Sequence, residues 1–377
     1  MDSAERRLRI GISGSYGGMN LGDEAILSGI LSRLRATVAA EVTVFSQNPT
    51  DTLARHHVER AIPARTMTRR EITAEINELD LLILGGGGIL YDGEAQAYLR
   101  EVFIALERQL PVVVYAISAG PLVTDAARHA VRDALNACGL ITVRDRLAYR
   151  LLEDVGVTKE IHLTADPALL LEPEELSTDM LKTDGVEFGR NLVGFSVREP
   201  GPAAPDIDAD AYYALLAQAA DFIVDRYDGD VVFVPMEVSD VQHSHAVVSH
   251  MQNAERAEIL RRRYSARQIL DVMAHFEFAV GMRLHFLIFA ARRGVPFAAL
   301  PYASKVAGLL EDLDMEAPPL GRMGIGRLIA TVDRSWDSRD AIRDTLARRV
   351  PGLRRRAELT NELLADGLRR SKLSSLT

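Results

Sequence analysis

The chain has 377 residues, 47% hydrophobic and 26% charged, with a formal net charge of −9. A single core rarely grows past about 250–300 residues, so the length implies two domains. The acidic balance excludes a general nucleic-acid binder, which needs a basic field to release counterions. The lone cysteine, Cys138, excludes an intramolecular disulfide and a thiolate metal cage. No apolar signal-peptide core opens the chain and no run reaches the roughly 20 apolar residues of a membrane span, so a reducing cytoplasm is the expected compartment.

Short apolar runs alternate with amphipathic segments through the first half, the pattern of a parallel α/β layer. Strands are predicted over Leu8–Ser13, Val42–Ser46, Leu79–Leu84, Val112–Ile117, Leu140–Arg144 and Ile161–Leu163, with helices over 23–35, 94–109, 125–137 and 146–155. In the last of these Leu147, Leu151 and Leu152 are expected to face inward. The strand alternation of a first lobe over 1–172 stops at Asp166-Pro167, and the polar, turn-rich stretch from Leu171 to Gly189 reads as a linker. A second lobe over 190–330 begins with strand Leu192–Val197, a proline-rich loop from Glu199 to Asp206, helix 209–227, strand Val231–Pro235 and helix 244–263. Residues 338–372 read as arginine-rich helices broken at Val350-Pro351-Gly352, packing across or beside the lobes. Two Rossmann-like α/β lobes with a crevice and C-terminal helices, a GT-B-like arrangement, are the expected fold class.

The second lobe also holds the stretch richest in chemistry. Strand Phe276–Val280 runs into a turn at Gly281 that places Arg283 and His285 at the start of an apolar helix, and strand Val295–Leu300 then delivers Lys305. Loops after parallel strands form the ligand crevice, so these three groups are expected on one edge, able to hold and protonate an anion. In the first lobe a glycine-rich loop from Ser13 to Gly22 leads into Asp23 and Glu24. These carboxylates suit either the helix dipole or sugar hydroxyls. The loop fits neither the Rossmann fingerprint nor a P-loop. Gly85–Gly88, with Gly86 and Gly87 at its centre, holds more glycine than a tight turn needs, which points to a closely approaching ligand or backbone. Arg144 ends a strand, where it could grip a carboxylate or phosphate, or pair with Asp145. Ser118 lacks the first glycine of a nucleophile elbow. His243, His245 and His250 are too loosely spaced for zinc and are expected as solvated histidines.

Asn20-Leu-Gly-Asp-Glu-Ala-Ile-Leu, Leu84-Gly-Gly-Gly-Gly, Ser118-Ala-Gly-Pro, Val143-Arg-Asp, Ala165-Asp-Pro, Gly281-Met-Arg-Leu-His and Tyr302-x-x-Lys305 occur in this order. Together, over roughly residues 8–312, they resemble the polysaccharide pyruvyl transferase family. The resemblance implies transfer of an enolpyruvyl-derived group from phosphoenolpyruvate to a sugar, giving a pyruvate ketal and phosphate. It places Arg144, Arg283, His285 and Lys305 at donor-handling positions, with His285 either the general acid/base or a phosphate ligand. The glycine loops with Asp23 and Glu24 become the acceptor side. No cofactor or metal is implied, since cationic side chains can neutralise the donor. A lipid-linked acceptor would bring the arginine-rich C-terminal region to the inner face of the membrane as a peripheral contact. The competing readings are a GT-B glycosyltransferase using a nucleotide sugar and a non-catalytic carbohydrate-binding protein.

Overall fold

A computed structural model describes residues 7–200, 208–300, 304–316 and 324–374. The chain divides into two compact units, one of Met1–Leu171 with Leu353–Thr377 and one of Glu172–Gly352.

The first unit contains, in chain order, β1 (Leu8–Ser13), α1 (Leu21–Thr37), β2 (Ala40–Ser46), α2 (Pro49–His56), β3 (Arg60–Pro63), α3 (Arg69–Ile76), β4 (Leu81–Leu84), β5 (Gly87–Leu90), α4 (Ala95–Glu107), β6 (Val112–Ala119), α5 (Asp125–Ala137), β7 (Leu140–Val143), α6 (Arg146–Val155) and β8 (Ile161–Leu163). The sheet runs β3-β2-β1-β4-β6-β7-β8, with β5 beside the far end of β6, and every pairing is parallel. Strands covered on both faces read as continuous apolar runs, which is why β4, Leu-Leu-Ile-Leu, is buried throughout. In α6 the buried positions are Ala148, Leu152 and Val155, whereas Leu147, expected inside, is 38% exposed.

The second unit contains α7 (Thr178–Thr183), β9 (Asn191–Ser196), α8 (Ala209–Tyr227), β10 (Gly229–Phe233), α9 (Asp240–His250), β11 (Ala257–Ile259), α10 (Ala266–Val272), β12 (Phe278–Gly281), α11 (Leu284–Arg293), β13 (Phe297–Ala299), α12 (Ser304–Asp312), α13 (Ile325–Asp337) and the start of α14 (Arg339–Ser374). Its sheet runs β11-β10-β9-β12-β13, again all parallel. Phe195, Phe233, Phe278 and Val280 from three adjacent strands form the centre of its core with Leu216 and Ile223 of α8. Strand order reverses between β1 and β4 in one unit and between β9 and β12 in the other. Ligands of open α/β sheets bind beyond the strand carboxyl ends at such reversals.

Three expectations are corrected. The stretch from Leu171 to Gly189 is no loose linker: Leu181 and Val186 are buried, and Asp184, itself buried, accepts a 2.6 Å bond from the Tyr264 hydroxyl and one from the Arg261 amide. The helix expected over 244–263 stops at His250, and Ala257–Ile259 pairs with β10 as an edge strand too short to show a period. The C-terminal helix continues through Pro351. A helix-interior proline costs about 3 kcal/mol, and burial of Leu346, Val350, Leu353 and Ala357 around it offsets that loss.

Removing the Asp184 carboxylate should free the packed 172–189 segment. Asp184→Ala is expected to speed tryptic cleavage after Lys182 several-fold under native conditions, read by mass spectrometry of the early fragments.

Candidate functional site

In the second unit Gly281 pairs in register with Ser196, so the chain leaves β9 and β12 side by side at the order reversal. The Tyr212 hydroxyl ties the two exits together, 3.2 Å from the Arg198 carbonyl and 3.0 Å from the Met282 sulfur. Arg283 is the N-cap of α11, and its own side chain makes no capping bond to that helix. Its guanidinium is held by carboxylates. Nε donates to Asp240 Oδ2 at 3.0 Å, Nη2 donates to the other Asp240 oxygen, and Nη2 also lies 2.8 Å from Glu237 and 3.8 Å from Glu199. Asp240 is fully buried at the start of α9 and accepts the Met236 and Glu237 amides at 3.1 Å each. Burial pushes its carboxyl up, and Arg283 opposes that shift. For Arg283 burial works against the charge, but the bonds to Asp240 outweigh it and raise the pKa further. Arg198 pairs with its neighbour Glu199. Burial alone would raise the Glu199 carboxyl, yet the Arg198 bond brings it below its ordinary value.

His243 lies one turn along α9 from Asp240. Its Nδ1 is 2.7 Å from the Tyr213 hydroxyl and the two rings stack at 5.9 Å. Burial lowers its pKa, with Glu199 and Asp240 pulling the other way. The expected solvated histidine is therefore a half-buried member of this cluster, whereas His245 is exposed and His250 pairs with Asp210 at 3.1 Å. Among the described residues no group of three or more His, Cys, Asp or Glu could hold a metal ion.

His285 occupies the first turn of α11, half-buried. Because β12 and β13 are parallel, Lys305 in α12 follows a strand end on the same edge as Arg283 and His285. Tyr302 lies outside the described residues. Glu199, Glu237 and Asp240 were missed as site residues by sequence reasoning, and His243 was read only as a solvated histidine. A signal existed, since Glu199 follows β9 and Glu237 follows β10 as Arg283 follows β12.

The first unit presents fewer of its candidates. Arg144 is 5% exposed, with Nη1 2.5 Å from Asp166 Oδ2 and Nε 3.8 Å from Asp145. Asp166 also caps the turn at Ala168. The Val143-Arg-Asp and Ala165-Asp-Pro motifs are thus two sides of one buried ion pair. Glu24 is internal too. Its Oε1 accepts the Gly17 amide at 2.9 Å and its Oε2 lies 2.6 Å from His56 Nε2, so it pins the glycine-rich loop. Asn20 is the cap of α1.

Much of the glycine run answers to packing. A β-carbon on Gly85 would overlap the hydroxyl of the fully buried Tyr16, and one on Gly86 would lie 2.9 Å from Ile26. Gly87 differs: its φ of +108° is closed to most side chains, and Asp23 Oδ1 lies 3.5 Å from where its β-carbon would stand. Asp23 and Gly87 therefore remain together at the carboxyl edge, while Gly86 and Glu24 serve the interior.

Two parallel-sheet units with these strand orders make a GT-B-like α/β fold. The UDP-GlcNAc 2-epimerase of Neisseria meningitidis, solved with UDP-GlcNAc, is similar with a TM-score of 0.65 at 10% identity, covering 97% of this chain and 100% of that one. The enzyme of the same name from Methanocaldococcus jannaschii gives 0.62 at 14%, covering 87% and 92%. At such identities the likeness shows the fold alone. Residues 20–304 match the polysaccharide pyruvyl transferase family, and the chain belongs to that family. The amylovoran biosynthesis protein AmsJ of Erwinia amylovora is 20% identical over 323 residues, 80% of this chain and 75% of that protein.

Among the described residues no helix is long and apolar enough to cross a membrane. Several arginines of α14 are committed to protein partners: Arg343 to Glu277 at 3.1 Å, Arg349 to Asp314 at 2.5 Å and Arg356 to the Thr164 carbonyl at 2.8 Å.

Arg144→Ala removes the cation from a buried carboxylate and is expected to cost the first unit about 3–5 kcal/mol, measured by urea denaturation. His243 binds a proton less readily folded than unfolded. Stability should therefore fall as pH drops below the ordinary histidine pKa near 6.5, because the unfolded chain takes up more protons there. His243→Gln should flatten that acid-side loss in thermal melts taken from pH 7.5 to 5.

Proposed function

We propose that this chain transfers the enolpyruvyl-derived group of phosphoenolpyruvate to two hydroxyls of a saccharide in polysaccharide biosynthesis. The observation that carries this reading is the pairing of Arg283 with His285 at the start of α11, on the order-reversal edge and inside the family-matched region. Phosphoenolpyruvate brings a carboxylate and a phosphate. Arg283 offers planar two-point bonding, Lys305 a point charge, and α11 the amides of its first turn.

His285 supplies a proton to the methylene carbon as a sugar hydroxyl adds to the central carbon. The bond between the central carbon and the phosphate oxygen breaks, the phosphate leaves with the electron pair and takes up the proton of the first hydroxyl, and the second hydroxyl closes the ketal and returns its proton to His285. A histidine can serve both proton transfers in turn. The acceptor saccharide is assigned to the first unit's carboxyl edge, where Asp23 beside Gly87 suits a sugar hydroxyl.

Incubation with phosphoenolpyruvate and a panel of saccharides is expected to release inorganic phosphate only when an acceptor is present, and nucleotide sugars should not be consumed. His285→Gln should fold normally and lose about 10²–10⁴-fold in turnover. Wild-type turnover in that variant would remove His285 from the chemistry.

A further inference from the structure

We infer that Asp240 is a positioning residue for the donor, fixing the Arg283 guanidinium so that one edge is held by the protein and the other is offered to an anion. This rests on the donor reading above. An arginine has two edges able to make paired bonds, Nε with Nη2 and Nη1 with Nη2. Asp240 takes the first with both oxygens, and Glu237 touches the second at Nη2, 2.8 Å away.

The two carboxylates are not equivalent. Asp240 is fully buried and anchored by two backbone amides, so releasing Arg283 would strand a desolvated charge. The Glu237 side chain is 37% exposed and can turn to water at little cost. An arriving carboxylate or phosphate therefore displaces Glu237 and leaves Asp240 in place. Because the amides that hold Asp240 belong to the exit of β10, this one side chain also fixes the β10 exit against the N-cap of α11.

The sign of the effect separates orientation from charge. Removing a carboxylate beside an anion site should tighten anion binding if only charge matters. If Asp240 orients Arg283, binding should weaken instead.

The test is isothermal titration calorimetry of the full chain with phosphoenolpyruvate, for wild type, Asp240→Asn, Arg283→Lys and the double variant. Asp240→Asn is expected to weaken binding about tenfold or more. In the Arg283→Lys background, where no fork remains to orient, the same change should add less than about threefold. Unchanged or tighter binding by Asp240→Asn, or an equal loss in both backgrounds, would overturn the inference. Should Asp240→Asn fail to fold, Asp240→Glu, which keeps the charge and shifts it by one methylene, is read in the same way. Absence of binding by wild type would instead sink the donor reading, and the role of Asp240 with it.

Discussion

Each unit keeps an arginine at the carboxyl edge of its parallel sheet by burying an aspartate against it. Asp166 holds Arg144 in the first unit and Asp240 holds Arg283 in the second. A desolvated carboxylate is tolerated only when its charge is met at close range, so each pair dictates where its loops run. The consequences differ. Arg144 has 4% of its side chain exposed and carboxylates from two motifs around it, and acts as a strut. Arg283 has 11% exposed, and its remaining partners, Glu237 and Glu199, reach solvent. The same device therefore makes a closed joint in one unit and an open mount in the other.

Charge at the open mount is finely divided. Arg198 and Arg283 stand against Glu199, Glu237 and Asp240, so the arginines alone do not make a strongly positive site. Under the proposed reaction an anionic donor also needs Lys305 and the first-turn amides of α11, both on the same sheet edge. An acidic rim on an acidic protein would disfavour loosely held anions and admit one able to use the geometry of the guanidinium and the helix terminus together.

The strand-and-helix alternation was legible because parallel strands buried on both faces are apolar along their length, as β4 is. Arg283 and His285 were legible because a strand, a glycine turn and an apolar helix start lie next to one another in sequence. The ion pairs were not. Asp166 is 22 residues beyond Arg144 and His56 is 32 beyond Glu24, and their meeting depends on which strands and helices become neighbours. The glycine run shows the same limit: an excess of glycine announces a close approach, but only the fold reveals that Tyr16 and Ile26 fill most of the space. Asp240 was not legible because it precedes the helix expected over 244–263, whose true start lies four residues earlier.

A crystal structure of the chain with phosphoenolpyruvate bound tests the central claim most directly. The account predicts donor density against the Nη1–Nη2 edge of Arg283 and the first turn of α11, with Glu237 displaced and Asp240 still in place. Donor density on the first unit's glycine loops, with Glu237 still on Arg283, would contradict it.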